Sequence, residues 1–355
     1  QMGVQTLTAE DMKTIPTAFG ELDVIKIVQT LPGVKTMGEA SSGLNVRGGS
    51  TDQNLILWNE GTIYNPTHLF GFFSAFNGSI VQDMELYKGN IPARYGGRIS
   101  SVLHINSHKG NKKKYQGEIS LGLLTSSLAL EGPIKKDKTS LLLAGRTTYS
   151  DWLLNLLPDN SEYHEGKAGF YDINVLLSHQ FSPKDNLYIS GYYSHDRFNF
   201  LENEKYEYAN ANASLQWAHL FGENFRMTTT AGYDHYGYAT KNWQKEYSAY
   251  RMGYDINQYY LKMDFDHDRL ENHRIDWGWK AMMYDINPGD VKPHGTQSLY
   301  MPKTLEKEQA LEAALYLNEE WDITPQLTAS MGMRYSLFNA FGPRTIHTYR
   351  EGELP

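Results

Sequence analysis

The chain has no cysteine in 355 residues. That absence excludes a disulfide framework, a thiol nucleophile and cysteine-based metal sites. Long apolar runs are also missing. Mean hydropathy is -0.54, and no window is apolar enough to cross a bilayer as a helix. A surplus of positive charge is absent too: the formal net charge is -8, which argues against nucleic acid as a partner. No His-Glu-x-x-His spacing, Gly-x-Ser-x-Gly elbow or phosphate loop occurs. The sequence therefore reads as a non-enzyme without a cofactor. Asp264, Asp266, His267 and Asp268 cluster at a strand end, where a charged turn is the plainer reading than a metal site.

What is present is aromatic and glycine-rich: 13% aromatics, with 25 Tyr, 7 Trp and 31 Gly. From Tyr115 onward, apolar and polar residues alternate with period two, as in half-buried strands. Ile173, Val175 and Leu177 oppose Asp172, Asn174 and Ser178. Phe225, Met227, Ala231 and Tyr233 oppose Arg226, Thr228, Thr230 and Asp234. Leu327, Ala329, Met331, Met333 and Tyr335 oppose Thr328, Ser330, Arg334 and Ser336. Arg146, Glu312, Asn318 and Glu320 fall on the polar face. Connections alternate in length. Tight turns fall at Lys135 to Lys138, Ser182 to Asp185, Gly222 to Asn224, His267 to Asn272 and Thr324 to Gln326. Longer ones fall at Ser150 to Gly169, Asn199 to Lys205, Lys241 to Glu246 and Pro288 to Lys307. This pattern predicts about eleven strands of an antiparallel barrel with a lipid-facing apolar side and a wet interior. Closed strands satisfy every backbone group in hydrocarbon. The basic run Lys109 to Lys114 reads as a solvated junction.

The N-terminal part is different. Leu22, Ile25 and Val28 predict a helix over Glu21 to Thr30, stopped at Leu31-Pro32-Gly33. Then come Asn45-Val46-Arg47-Gly48-Gly49, Trp58-Asn59-Glu60-Gly61, Val81 to Gly89, Ala93-Arg94-Tyr95-Gly96-Gly97 and Val102 to Ile105. Apolar strands end in glycine turns at Gly48, Gly61, Gly89 and Gly96, the last behind Tyr95. Loops run over Thr36 to Ser42, Gly49 to Asn54 and Tyr64 to Phe76. The third carries Tyr64, Asn65, His68, Phe70 and Phe72. Aromatic faces and polar tips of this kind make a ligand floor, or alternatively a buried aromatic core.

This ordered set of motifs, over roughly residues 16 to 108, resembles the plug domain of TonB-dependent outer-membrane receptors. Glu60 stands where that family more often has Asp. The resemblance implies a small α+β plug at 1–110 inside an all-β transmembrane barrel, of which 111–355 would be part. Barrels that hold a plug have about twenty-two strands, so roughly the second half of the wall is expected to lie outside this chain. A leader and an energy-coupling segment are expected upstream. The resemblance also implies active transport of a scarce nutrient (an iron chelate, cobalamin, an oligosaccharide or a peptide) across the outer membrane of a Gram-negative bacterium. Its partners would be a TonB-type inner-membrane coupling protein, outer-membrane lipid, the cargo and a surface lipoprotein. Arg47 and Lys88 stand where the family locks plug to wall with basic residues; a local pair within the plug, for instance with Glu85, is the alternative. A plugged barrel serving as a non-transporting receptor or assembly scaffold is the competing function.

Overall fold

A computed structural model describes residues 3–15, 21–36, 43–156, 158, 161, 164, 166–199, 203–270 and 272–342. Pro16 and Thr17, where the sequence predicts a turn, most of the Thr36 to Ser42 loop and the C-terminal Glu351 to Pro355 lie outside them.

Two β-systems share the chain. The N-terminal one is a five-stranded sheet in spatial order Val4–Thr8, Val81–Tyr87, Ser101–Ser107, Asn54–Trp58, Gly61–Thr62. Its one parallel pair joins Asn54–Trp58 to Ser101–Ser107; every other pair is antiparallel. The expected helix forms over Val24–Gln29, shorter than predicted because Asp23 caps it: the Asp23 carboxylate accepts the Lys26 backbone N–H at 2.9 Å. A further turn of helix, Ala9–Lys13, follows the first strand and was not anticipated; Thr8 and Asp11 close it in a capping box. Ile25, Val28, Trp58, Phe76, Ile80, Met84, Leu86, Leu103 and Ile105 are buried together between helix and sheet. Burying each is worth about 1.5–3 kcal/mol.

The second system is one antiparallel sheet, the wall. Eleven strands from Gln116–Leu121 to Leu327–Phe341 follow one another as neighbours, with the short Lys303–Thr304 strand beside His273–Pro293. Several run longer than expected. Asp185–Asn199 nearly meets Glu204–Leu220, and Phe225–Asn242 and His273–Pro293 extend into stretches read as loops. Among the described residues, no helix is long and apolar enough to cross a membrane.

Burial along the wall is inverted relative to a water-soluble sheet. Ile173 and Val175 are 50% and 40% exposed, whereas Asp172 and Asn174 between and beside them are 0% and 1% exposed. Leu315, Leu317, Met333 and Leu337 are likewise exposed, and Asp196, Asn210, Asn212, Thr230, Asp234 and Gln258 are buried. The polar face thus packs on the plug and the apolar face looks outward. Aromatics ring the short-turn end of that outer face: Phe225 lies 5.1 Å from Phe221 and 5.7 Å from Trp277, centroid to centroid. Such an aromatic rim above an apolar band is the arrangement of a strand wall in lipid.

Candidate functional site

The plug meets the wall through charged and polar side chains on the inward-facing wall positions. Arg146 is the centre of one group. Its guanidinium bonds to Asp172 at 2.7 Å, to Glu21 of the plug, and to the Ser74 carbonyl at 2.7 Å. His68 is fully buried beside it, with Nδ1 at 2.6 Å from Asp196 and Nε2 at 3.6 Å from Asp172, its ring stacked 4.1 Å from Phe170. Burial pushes His68 toward its neutral form, but the two carboxylates outweigh this and raise its pKa. Asp196 also accepts the Leu69 backbone N–H at 3.0 Å.

A second group surrounds Glu60. Lys262 reaches it at 2.6 Å and Asp264 at 3.1 Å. Burial alone would raise the Glu60 carboxyl, yet the Lys262 ammonium and His104 pull it down to about 2. Arg94, from the plug, bridges Asp266 at 2.8 Å and Asp276 at 3.1 Å. The acidic cluster near residue 266 is thus engaged by cations. Among the described residues, no group of three metal-ligating side chains occurs. His104 and His108 stand four apart, but His104 lies on an extended strand and bonds to Tyr95 at 3.0 Å.

Among the described residues, neither Arg47 nor Lys88 forms an ion pair with the wall. Lys88 Nζ donates to Gln5 at 2.6 Å and to the Pro32 carbonyl at 2.7 Å, both within the plug. Arg47 is exposed, with its guanidinium against Gly89. Both contacts of Lys88 thus lie within the plug, neither of them with Glu85, and the described ion pairs between plug and wall include those of Arg146, Lys262, Arg94 and His68. Charge at inward positions of the alternating wall is the sequence signal for these contacts, and Arg146, Asp172 and Lys262 all carry it.

The glycine turns serve close approach. A Cβ on Gly61 would fall on the Asn212 side chain, which is held by Asp234, and one on Gly96 would fall on Arg334. Thr62 next to Gly61 donates its N–H to Asp234 at 3.0 Å. Gly61→Ala is therefore expected to displace Asn212 and destabilise plug seating by about 1–3 kcal/mol, read as a lower thermal midpoint in detergent. Gly48 has φ +81 and open space around its Cβ position, so its turn conformation is the requirement there.

The aromatic loop splits in two. His68 and Asn65 face the wall: Asn210 donates to the Asn65 carbonyl at 3.1 Å. His68 is thus a seating residue, because both ring nitrogens point at wall carboxylates. Phe70 and Phe72 are 41% and 51% exposed. Phe70 sits at the tip of the short hairpin Thr67–His68 and Phe73–Ser74, and both Leu69 and Phe70 hold positive φ, 46° and 59°. Two consecutive residues with side chains in this region store strain, a trait of ligand-contacting loops. Phe70 lies 4.0 Å from Phe198, which stacks 5.0 Å from Tyr206. Tyr64 donates to Gln258 at 2.8 Å and lies 6.4 Å from Tyr236, itself 6.1 Å from Tyr254. These rings line the inner face of the wall beside the plug tip, on the long-loop side.

Residues 1–102 match the family model of the TonB-dependent Receptor Plug Domain. The ferrienterobactin receptor of Escherichia coli (strain K12) is 24% identical over 294 residues, which is 68% of this chain and 38% of that protein. A solved ferric enterobactin receptor (PfeA) mutant from Pseudomonas aeruginosa superposes with a TM-score of 0.70 at 16% identity, over 95% of this chain and 57% of that one. FpvA of P. aeruginosa, in a pyoverdine–Fe complex, gives a TM-score of 0.74 at 12% identity, over 96% of this chain and 52% of that one. The chain thus spans little more than a third of the curated relative and about half of the solved ones. Residues 1–102 thus belong to the TonB-dependent receptor plug-domain family, and the chain as a whole shares with the solved receptors the fold of a plug with part of its barrel.

Proposed function

We propose that this chain supplies the plug and part of the wall of an outer-membrane transporter for a scarce nutrient, with a ferric chelate as the favoured cargo. The single observation that carries this reading is the strained tip at Leu69 and Phe70, with Phe70 exposed against Phe198, which stacks on Tyr206. Aromatic faces hold a flat or aromatic chelate by stacking, and phenol oxygens orient it. The relatives are described as receptors for ferric enterobactin and as a pyoverdine–Fe complex, which favours an iron chelate over cobalamin, a glycan or a peptide. The long-loop side then faces outward from the cell and the short turns face the periplasm, where a TonB-type protein would pull on the plug. The buried ion pairs seal the lumen until that force arrives.

Phe70→Ala is expected to weaken cargo binding about tenfold, a loss of about 1.4 kcal/mol of stacking. Equilibrium binding and cellular uptake of a radiolabelled ferric chelate by the full receptor measure it. Binding without uptake, even with the coupling protein present, would favour the receptor-scaffold function; unaltered binding in Phe70→Ala would remove the tip from the site.

A further inference from the structure

The basic junction after the plug is not isolated. The turn Lys135 to Lys138 folds back on it, and the Asp137 backbone N–H donates to the Lys112 carbonyl at 2.9 Å. On the junction side, the Asn111 side chain accepts the Lys113 and Lys114 backbone N–H groups at 2.8 and 3.0 Å. Lys112, Lys113, Lys114, Lys135, Lys136 and Lys138 are therefore gathered on two tethered turns, with Asp137 the one acid among them. All except the half-buried Lys112 are exposed. None of the six has a salt bridge among the described residues, whereas the chain as a whole carries -8.

Position matters as much as charge. The turns stand where the outward apolar face ends. Leu128, Leu130 and Ile134 run down that face, 42%, 49% and 64% exposed. Tyr115 lies over Gly132 at the same edge and donates to the Pro133 carbonyl at 2.9 Å. Six like charges on adjacent turns repel one another unless an anion lies between them. Flexible lysine stems at the rim of an apolar band reach the headgroup layer.

We propose that these two turns bind the phosphate headgroups of anionic phospholipid in the leaflet on the short-turn side. This rests on reading the wall as membrane-spanning. Each lysine close to an anionic leaflet adds about fivefold to affinity, and the patch would fix the rotational seat of this part of the wall in the bilayer.

The test uses the whole receptor in nanodiscs of phosphatidylethanolamine and phosphatidylglycerol, with retained lipid counted by native mass spectrometry. Retained phosphatidylglycerol should exceed its bulk share about tenfold and fall with added salt. The combined Lys113→Gln, Lys114→Gln, Lys135→Gln and Lys136→Gln variant should lose the enrichment. The same four changed to Arg should keep it, as should Lys205→Gln with Lys241→Gln at the opposite end. Enrichment surviving in the four-fold Gln variant, or absent from the unmodified protein, overturns the proposal. A receptor that stays monodisperse without surfactant and retains no lipid of either kind overturns the membrane reading itself.

Discussion

Arg146→Ala is expected to cost about 3–5 kcal/mol of stability in the assembled plug and wall. The side chain is 1% exposed and holds three partners at once: Asp172, Glu21 and the Ser74 carbonyl. Removing it leaves Asp172, which is wholly buried, with only His68 for countercharge. It also frees the Ser74 carbonyl and takes the cation from Glu21, which keeps only the Thr125 hydroxyl at 2.7 Å among the described residues. An uncompensated buried charge is more damaging than the loss of the whole pair, so Arg146→Met combined with Asp172→Leu should be milder than Arg146→Ala alone. Thermal unfolding in detergent and the rate of proteolysis within residues 1–110 measure both. A midpoint within a degree or two of the unmodified protein would show that the group does not seat the plug.

Acid should loosen the second group. Glu60 has its pKa drawn from 4.5 down to about 2, because the attraction of Lys262 and His104 exceeds the penalty of burial. A carboxyl depressed in the folded state gives stability that is complete above its unfolded pKa and lost as pH falls through the folded one. The difference amounts to about 3 kcal/mol, present above pH 4.5 and withdrawn as pH falls from there toward 2. Lys262→Met should abolish that acid dependence and destabilise the protein at neutral pH by a similar amount, since Glu60 then loses its nearest cation. Plug release below pH 4.5, followed by protease access, is the readout; an identical acid profile in Lys262→Met would contradict the assignment.

Much of the fold was legible because period-two alternation is a strong physical signal. Asp172, Asn174 and Ser178 had to share a face, and that face proved to be the buried one. Strand ends were less legible. Phe225–Asn242 and His273–Pro293 continue past the membrane-spanning length because their outer turns pair with neighbours, something local composition does not encode. Composition points to the loop from Tyr64 to Phe76, and only the fold separates its residues. Tyr64 and Phe70 stand beside wall aromatics, whereas His68, near them in sequence, is buried against Asp172 and Asp196. A hairpin that turns at Leu69 sends neighbours in opposite directions, one to the wall and one to the tip. Motif position alone singles out Arg47 and Lys88, and only the fold shows that Lys88 bonds to Gln5 and to the Pro32 carbonyl. The two basic turns lie about twenty residues apart in the chain, so their union could not be read from either alone.

Among the described residues, the strand Val4–Thr8 pairs on one side only, with Val81–Tyr87, and its other edge has no strand partner. Its five residue pairs run from Val4 opposite Tyr87 to Thr8 opposite Asp83. A tug applied across the sheet at residue 3 would break these pairs in sequence, like a strip peeled from its corner, so the load at any instant falls on one pair rather than five. The same tug directed along the strand would have to shear all five together. Direction of pull, more than its size, then decides how easily this margin comes away.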